Sequence, residues 1–276
     1  MTSFLSSSLD LLTILYQENN VLTFDHGIEH IEAVLNNTRK SLMLEDINEF
    51  EDSKKLLIRS SLEEDIKVSP NYPSLNEMEL LSIQLAAILH DADDSKLFKT
   101  KNYENAKKIL KEIEFPVEYQ GLVMEMIELV SCSKQAQFEA IPLDSLWKLI
   151  PRDADRLEAI GKIGIERLIS YNIESKGALI TESTFLPMTV QELISGIDPE
   201  RFESYKRGIK SKSLVDHIHD KLLHIHKLDS GNKILEKIAQ ARQDSLIEFT
   251  VELSIIIKNE GEEKANEFLN SKLENR

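Results

Sequence analysis

Apolar residues recur every three or four positions along most of the chain, which is the spacing of an amphipathic helix. No stretch alternates apolar and polar residues over the length of a strand. The chain is therefore predicted to be all-α. Helices are predicted over about 5–17, from 27 onward, and over 101–113, 116–130, 153–171, 214–228 and 233–273, with a break in the last near Gly261.

A more apolar helix is predicted over Met78–Leu89. Its apolar residues occupy nearly every face, which indicates a central, buried helix. Ser74 and Glu77 have the spacing of a capping box, so the helix is predicted to begin directly after them. It leads straight into the dipeptide His90-Asp91.

Composition and charge narrow the functional classes. Only 9 Gly and 7 Pro occur in 276 residues, which suits long helices. The net charge of −15 argues against a nucleic-acid polymer as partner, because phosphate backbones require clustered Lys and Arg. The single cysteine, Cys132, precludes an intrachain disulfide and suits a reducing compartment. With neither a signal peptide nor a membrane span in evidence, we expect a cytoplasmic protein without a membrane partner.

The dipeptide His90-Asp91 is the first candidate for chemistry. Burying an imidazole and a carboxylate at the end of an apolar helix costs free energy unless they are paired or bind a cation. A second such dipeptide, His219-Asp220, lies in a helix with a largely polar surface. The acidic residues that follow Asp91, among them Asp94, indicate either a metal site or a solvated acidic loop.

Further candidates lie on two other predicted helices. His26 and His30 are one helical turn apart, a spacing that also arises by coincidence on surfaces. Asp153 and Asp155 both precede an apolar pattern, and Asp153 could equally be a helix N-cap. Gly161 and Gly164 cost roughly 1 kcal/mol each inside a helix, which indicates close packing against a neighbouring element or a need for close backbone approach.

The ordered set His30, His90-Asp91 and Asp155 resembles the signature of the HD superfamily of metal-dependent phosphohydrolases. The segments DHGIEHIEAV, LHDADDSK, RDADRLEAIGKIGIER and LVDHIHDKLLHI are similar, in order, to one branch of that superfamily, whose characterised members resemble bacterial nucleotide pyrophosphohydrolases. The resemblance spans about residues 20–260. It implies an HD-domain helical bundle over 1–230 with a charged insertion at about 40–73, and a C-terminal helical extension over 231–276 that packs on the bundle as a long helix.

The resemblance also implies roles for individual residues. It assigns the metal ligands to His30, His90, Asp91 and Asp155. Asp94 would orient or deprotonate the attacking water, which makes it the expected catalytic residue. Contacts to substrate phosphates are expected from His26, Lys96 and Arg156. Five further residues are expected to hold the site residues in place without binding the metal themselves: Asp153, Glu158, Asp216, His217 and Lys221.

The chain departs from the branch at Cys132, where a histidine is usual. One divalent metal ion is therefore expected, with Mn²⁺ preferred and Mg²⁺, Co²⁺, Ni²⁺, Fe²⁺ or Zn²⁺ as alternatives. The histidines of residues 217–226 are spaced too widely along one helix to form a second centre by themselves.

The expected function is hydrolysis of a phosphoanhydride or phosphoester, with a nucleoside or deoxynucleoside triphosphate cleaved to the monophosphate and pyrophosphate. The expected partner is thus a small phosphorylated substrate, and a homodimer is one option for assembly. Two alternatives stay open: a nucleotide phosphatase or phosphodiesterase of the HD type, and a non-catalytic protein that binds nucleotides or metal for regulation.

Overall fold

A computed structural model describes residues 2–21, 27–44, 75–95, 97–131 and 141–274. Within these ranges all regular structure is helical, which confirms the all-α prediction. None of the helices in the described ranges is both long and apolar enough to cross a lipid bilayer. The elements are α1 (Thr2–Glu18), α2 (Ile28–Ser41), α3 (Glu77–Leu89), α4 (Glu104–Glu112), α5 (Val117–Val130), a 3-10 helix (Leu143–Leu149), α6 (Ile150–Leu157), α7 (Gly161–Ser175), α8 (Val190–Ser195), α9 (Pro199–Lys206), α10 (Leu214–His217), a π-helix (Ile218–Leu222), α11 (Lys233–Glu260) and α12 (Glu262–Glu274).

The buried central helix is confirmed as α3, but its predicted cap is wrong by two residues. The side chain of Asn76 accepts hydrogen bonds from the backbone N–H groups of Met78 and Glu79. The Glu79 carboxylate accepts one from the Asn76 N–H in return. The sequence offers two overlapping pairs with capping-box spacing, Ser74 with Glu77 and Asn76 with Glu79, and the second forms the cap.

The helix predicted over 153–171 is not continuous, because α6 ends at Leu157 and α7 begins at Gly161. Gly161 has φ +72°, and a Cβ atom there would lie 2.9 Å from the Arg242 side chain. Nη1 of Arg242 donates to the Leu157 carbonyl at 2.6 Å and to Oε1 of Glu158 at 2.9 Å. The close packing predicted for this glycine is therefore confirmed, and it coincides with the break.

The C-terminal helices follow the predicted pattern with one local change. The segment predicted as one helix over 214–228 begins as the short α10 and widens into the π-helix. The long terminal helix is interrupted at Gly261, which has φ +89°, so the predicted break between α11 and α12 is confirmed.

Contacts divide the chain into two compact units. Unit 1 comprises Met1–Asp155 with Leu228–Lys237, and unit 2 comprises Arg156–Lys227 with Ile238–Arg276. The domain boundary predicted after residue 230 is a different kind of division and stays a prediction.

Three small side chains bring the helices of unit 1 together near the predicted ligands. Val34 of α2, Ala87 of α3 and Ala154 of α6 form one fully buried cluster. Nδ2 of Asn37 donates to the Ala154 carbonyl at 3.3 Å, which ties α2 to α6 within this apolar contact. The three helices therefore lie close together, and each of these contact positions is at most four residues from a predicted metal ligand.

A second anchor in unit 1 joins distant parts of the sequence. Nδ2 of Asn232 donates to the Ser41 carbonyl at 3.0 Å, between groups 191 residues apart. The oxygen of the same side chain accepts from the backbone N–H groups of Ile234 and Leu235 and so caps the start of α11. The segment 228–237 is thereby fixed to the end of α2.

We expect Gly161→Ala to lower the free energy of unfolding by about 1–3 kcal/mol. The backbone at Gly161 is left-handed, which is strained for alanine, and the added methyl group would displace the Arg242 side chain. Urea unfolding followed by circular dichroism measures the change. Gly121→Ala is the matched control, because Gly121 is an exposed position of α5 with open space around it and alanine there should add about 0.5–1 kcal/mol. Wild-type stability in Gly161→Ala would contradict the interpretation of this break.

Candidate metal centre

His30 lies in the first turn of α2, which begins after Gly27. The residue is 5% exposed, so its imidazole points into the protein. Nε2 of His30 lies 3.2 Å from Oδ1 of Asp155 and 3.7 Å from Oδ2 of Asp91. An imidazole on α2 thus contacts carboxylates that follow α3 and lie on α6.

His90 is the residue that ends α3, and its ring is held in one orientation. Nδ1 lies 2.8 Å from the Ala87 carbonyl, one turn earlier, and can only donate a hydrogen to that oxygen. In the neutral ring the lone pair is then on Nε2. This atom is buried without a hydrogen-bond partner among the described residues, and it lies 3.4 Å from Oδ2 of Asp91 and 3.7 Å from Oδ1 of Asp155.

A tight turn after α3 places the acidic residues. The Asp94 N–H donates to the Asp91 carbonyl at 3.2 Å, and the Asp91 residue is 9% exposed. The carboxylate of Asp93 accepts from the backbone N–H groups of Asn105 and Ala106 at 3.0 and 2.9 Å, in the first turn of α4. Asp93 is therefore occupied in holding a helix terminus.

Asp153 and Asp155 take different roles on α6. Oδ2 of Asp153 accepts hydrogen bonds from the backbone N–H groups of Asp229 and Ser230 at 3.1 and 2.7 Å, and the residue is completely buried. Residues two apart on a helix point in different directions. The Asp155 side chain, 31% exposed, accordingly faces His30 instead. The structure thus separates the two aspartates that the pattern could not rank from spacing alone.

Four acceptor atoms therefore converge in unit 1: Nε2 of His30 and His90, Oδ2 of Asp91 and Oδ1 of Asp155. The ligand atoms of His30, His90 and Asp91 all lie within 4.8 Å of one another. With ligand bonds of about 2.1 Å, adjacent ligands are about 3.0 Å apart in octahedral and about 3.4 Å apart in tetrahedral coordination. The four nitrogen–oxygen separations of 3.2–3.7 Å are close to these values.

The donor set also fits a divalent cation chemically. Two imidazole nitrogens and two carboxylate oxygens suit first-row divalent metals, and the carboxylates additionally tolerate harder cations. Among the described residues, none donates a hydrogen bond to the buried Nε2 of His90, as expected of a nitrogen that is directed at a metal. Its Nδ1–H bond to the Ala87 carbonyl is the usual way in which a ligating histidine is oriented.

Electrostatics couple these groups. Burial by itself would lower the pKa of the His90 imidazole, but the adjacent Asp91 carboxylate outweighs this and, with Asp155, raises the pKa from 6.5 to about 9. Burial would raise the pKa of the Asp155 carboxyl, but the His30 and His90 imidazoles hold it well below its ordinary value. Protons and a cation would therefore compete for the same atoms.

The residues predicted to contact phosphate are less well defined. His26 and Lys96 lie outside the described residues, as does Cys132. Arg156 is 7% exposed and belongs to unit 2. Its predicted contact with phosphate stays a prediction.

The other residues predicted to support the site have defined contacts inside unit 2. Glu158 pairs with Arg242, as described for the break before α7. The Asp216 carboxylate accepts hydrogen bonds from Ser213, Thr184 and Arg201 at 2.7–3.0 Å. Nδ1 of His217 lies 3.3 Å from the Ser211 hydroxyl, and Nζ of Lys221 lies 5.7 Å from the centre of the Tyr205 ring. These contacts give each a structural role in unit 2, and their support of the centre stays a prediction.

Two features near the centre had no counterpart in the sequence analysis. Nη2 of Arg152 pairs with Asp229 at 2.6 Å, beside the Asp153 anchor. Tyr16 of α1 is 2% exposed, and its buried hydroxyl feels the charges of Asp91 and Asp94. Arg152 could have been suspected because it precedes Asp153, but Tyr16 occupies an ordinary apolar position of its helix, so periodicity carried no signal for it.

Fold and site together define an all-α protein with a centre built from histidine and aspartate side chains. Several known proteins are similar to this chain, to different degrees. The chain is 33% identical over 260 residues to the uncharacterized protein L803 of Acanthamoeba polyphaga mimivirus, covering 88% of this chain and 94% of that protein. It therefore belongs to the same family as protein L803. No family model matches the chain.

Two solved structures are similar to this one. A Lactobacillus plantarum protein has a TM-score of 0.58 and 18% identity, covering 92% of this chain and 97% of that one, which shows a shared fold. An HD-superfamily hydrolase from Bacillus thuringiensis has a TM-score of 0.44 and 22% identity, covering 84% and 98% of the two chains. The shared fold is inferred from the Lactobacillus plantarum protein alone, since the similarity to the Bacillus thuringiensis protein is more distant.

We expect Asp155→Asn and Asp153→Asn to differ in kind. Asp155→Asn should lower the metal content of the purified protein at least about tenfold, because it removes a charged oxygen from the converging set. Asp153→Asn should keep the metal but lower the free energy of unfolding by about 1–3 kcal/mol, since it weakens two buried hydrogen bonds. Elemental analysis and urea unfolding measure the two effects. A larger loss of metal from Asp153→Asn than from Asp155→Asn would contradict the assignment.

The stability of the metal-free protein should depend on pH through the ionisation of His90. Because its pKa is raised from 6.5 to about 9 on folding, its charged form stabilises the folded state fully below pH 6.5. That contribution is lost as the pH rises through 9. The Tm difference between wild type and His90→Asn, measured in chelator, should therefore shrink between pH 6.5 and pH 9.

His219 of the π-helix serves as a control, because its contribution to stability should change with pH in the opposite direction. Burial, followed by the charge of Arg201, lowers its pKa to about 4, so its contribution to stability is lost as the pH falls from 6.5. A wild-type advantage over His90→Asn that grows towards pH 9 would rule out the coupling described here.

Proposed function

We propose that the chain is a metal-dependent phosphohydrolase of the HD type. The observation that carries this proposal is the group of His30, His90 and Asp91, whose ligand atoms all lie within 4.8 Å of one another and so could hold one divalent cation. Oδ1 of Asp155 lies beside this group, 3.2 Å and 3.7 Å from Nε2 of His30 and His90. These four residues occur in the order that resembles the HD signature. The resemblance of the DADRLEAIG segment supports the same proposal independently of the geometry.

The net charge of −15 and the two carboxylates of the centre would repel an anionic substrate, and a bound cation would offset that repulsion. A divalent ion held by these ligands would offset phosphate charge and lower the pKa of a nearby water, as metal ions do in other hydrolases. The orientation of His90 by the Ala87 carbonyl and the burial of His30 would keep both imidazoles aimed at the ion.

Asp94 is proposed as the residue that acts on the attacking water. It lies one tight turn after Asp91, held by the hydrogen bond from its N–H to the Asp91 carbonyl. Its carboxylate would accept the proton as the water oxygen forms a bond to phosphorus. The bond from phosphorus to the bridging oxygen breaks, and its electron pair leaves with the departing phosphate group.

A nucleoside or deoxynucleoside triphosphate is the proposed substrate. Attack at the α-phosphorus would release the nucleoside monophosphate and pyrophosphate. This choice is supported by the resemblance to the pyrophosphohydrolase branch. Arg156, His26 and Lys96 are proposed to contact the phosphates, and arginine offers the bidentate geometry that phosphate accepts.

The test is turnover of a nucleotide panel with Mn²⁺, Mg²⁺, Co²⁺ or Zn²⁺, read as release of pyrophosphate and of inorganic phosphate. We expect metal-dependent release of pyrophosphate from at least one triphosphate. Asp91→Ala should lower the rate at least about a hundredfold, because it removes a ligand. Asp10→Ala, an exposed aspartate of α1, is the matched control and should leave the rate unchanged.

Two results would overturn the proposal. One is the absence of metal-dependent turnover on every phosphorylated substrate in the panel. The other is turnover that survives Asp91→Ala, which would place the activity elsewhere or in a contaminant. Release of inorganic phosphate in place of pyrophosphate would keep the class of enzyme and replace the proposed bond.

A further inference from the structure

Tyr16 is a buried tyrosine whose hydroxyl has no hydrogen-bond partner among the described residues. The residue lies near the C-terminal end of α1 and is 2% exposed. Its hydroxyl oxygen is enclosed and makes no hydrogen bond with any residue the structure describes. Nearly all buried hydroxyl groups in proteins are hydrogen-bonded, because leaving one unpaired is costly. A buried hydroxyl in this state therefore points to a ligand that completes it.

The position of the ring connects Tyr16 to the candidate metal centre. Its centroid lies 5.7 Å from that of Phe98, at an interplanar angle of 39°. The N–H of Phe98 donates to the Asp94 carbonyl at 2.8 Å, so Phe98 is fixed to the turn that carries Asp91 and Asp94. Tyr16 thus packs against the segment that follows the acidic turn, and both lie in unit 1.

The surroundings of the hydroxyl decide which way it can act. Burial raises the pKa of the Tyr16 phenol far above its ordinary value, and the charges of Asp91 and Asp94 raise it further. The phenol therefore keeps its proton and cannot act as a base. It is a neutral hydrogen-bond donor within the electrostatic influence of two carboxylates, neither of which accepts its hydrogen.

Phosphoryl oxygen is the acceptor that this donor suits best. An anionic oxygen accepts more strongly than water or a neutral group, and the gain is larger where bulk water is excluded. An anion beside Asp91 and Asp94 also needs donors that bring no additional negative charge. A neutral phenol held in place by its ring meets that requirement without the loss of conformational freedom that a lysine would incur.

We propose that the Tyr16 hydroxyl donates a hydrogen bond to an oxygen of a phosphoryl group bound at the centre, which makes Tyr16 a substrate-binding residue. The inference rests on the proposed function for the identity of the substrate. It adds a residue of α1 to a centre that otherwise draws on α2, the end of α3 and α6. The first helix then takes part in recognition as well as in the core.

The test compares wild type with Tyr16→Phe, which removes only the oxygen. Without ligand, the Tm of the variant should stay within about 2 °C of wild type, since the hydroxyl makes no hydrogen bond with the residues that the structure describes. Binding of inorganic phosphate to the Mn²⁺-loaded protein, measured by calorimetry, should weaken about tenfold. If the enzyme turns over, kcat/KM for its triphosphate should fall about 10- to 100-fold.

Tyr171→Phe is the matched control, because Tyr171 is 63% exposed on α7 and should change none of the three measurements. A larger fall in Tm for Tyr16→Phe would show a structural partner and overturn the inference. So would unchanged phosphate affinity, or no phosphate binding by the wild type. If phosphate binding depends on Tyr16 while no substrate is turned over, the proposed function fails and the inference stands.

Discussion

Four hydrogen-bond acceptors lie close together, three of them in one compact group and the fourth, from the partly exposed Asp155, beside it, and this arrangement constrains the surrounding helices. The lone pairs of two imidazole nitrogens and two carboxylates repel one another unless a cation or protons lie between them. The surrounding helices must hold the four side chains in place against that repulsion. They do so through the close contact of Val34, Ala87 and Ala154, and through hydrogen bonds that use atoms outside the converging set, such as Nδ1 of His90.

The fold was largely predictable because helical spacing is a property of the sequence alone. The central helix, the long terminal helix and the break at Gly261 all followed from local patterns. The break before α7 was not predicted; the Arg242 side chain that packs against Gly161 there comes from a remote part of the sequence. The cap of α3 was missed for another reason: two overlapping pairs satisfied the same spacing rule, and the spacing by itself does not rank them.

The candidate centre divides in the same way. Residue order and family resemblance indicated His30, His90, Asp91 and Asp155, and the structure brings these side chains together. Spacing alone could not distinguish Asp155 from Asp153. The backbone groups that occupy Asp153 lie some 76 residues away in sequence. Tyr16 could not be predicted as a site residue, because its ring fits the helical pattern as any apolar side chain does. Only its hydroxyl oxygen, which is buried without a hydrogen-bond partner among the described residues, sets it apart.

The discontinuous construction of unit 1 has a consequence for protein synthesis. The segment Leu228–Lys237 leaves the ribosome only after residues 156–227 have been made, which at about 5–20 residues per second is about 4–14 seconds later. Until then the Asp153 carboxylate on α6 lacks the backbone donors of Asp229 and Ser230. The nascent chain thus carries the four converging side chains before the anchor of the last of them exists, and the centre is completed late in translation.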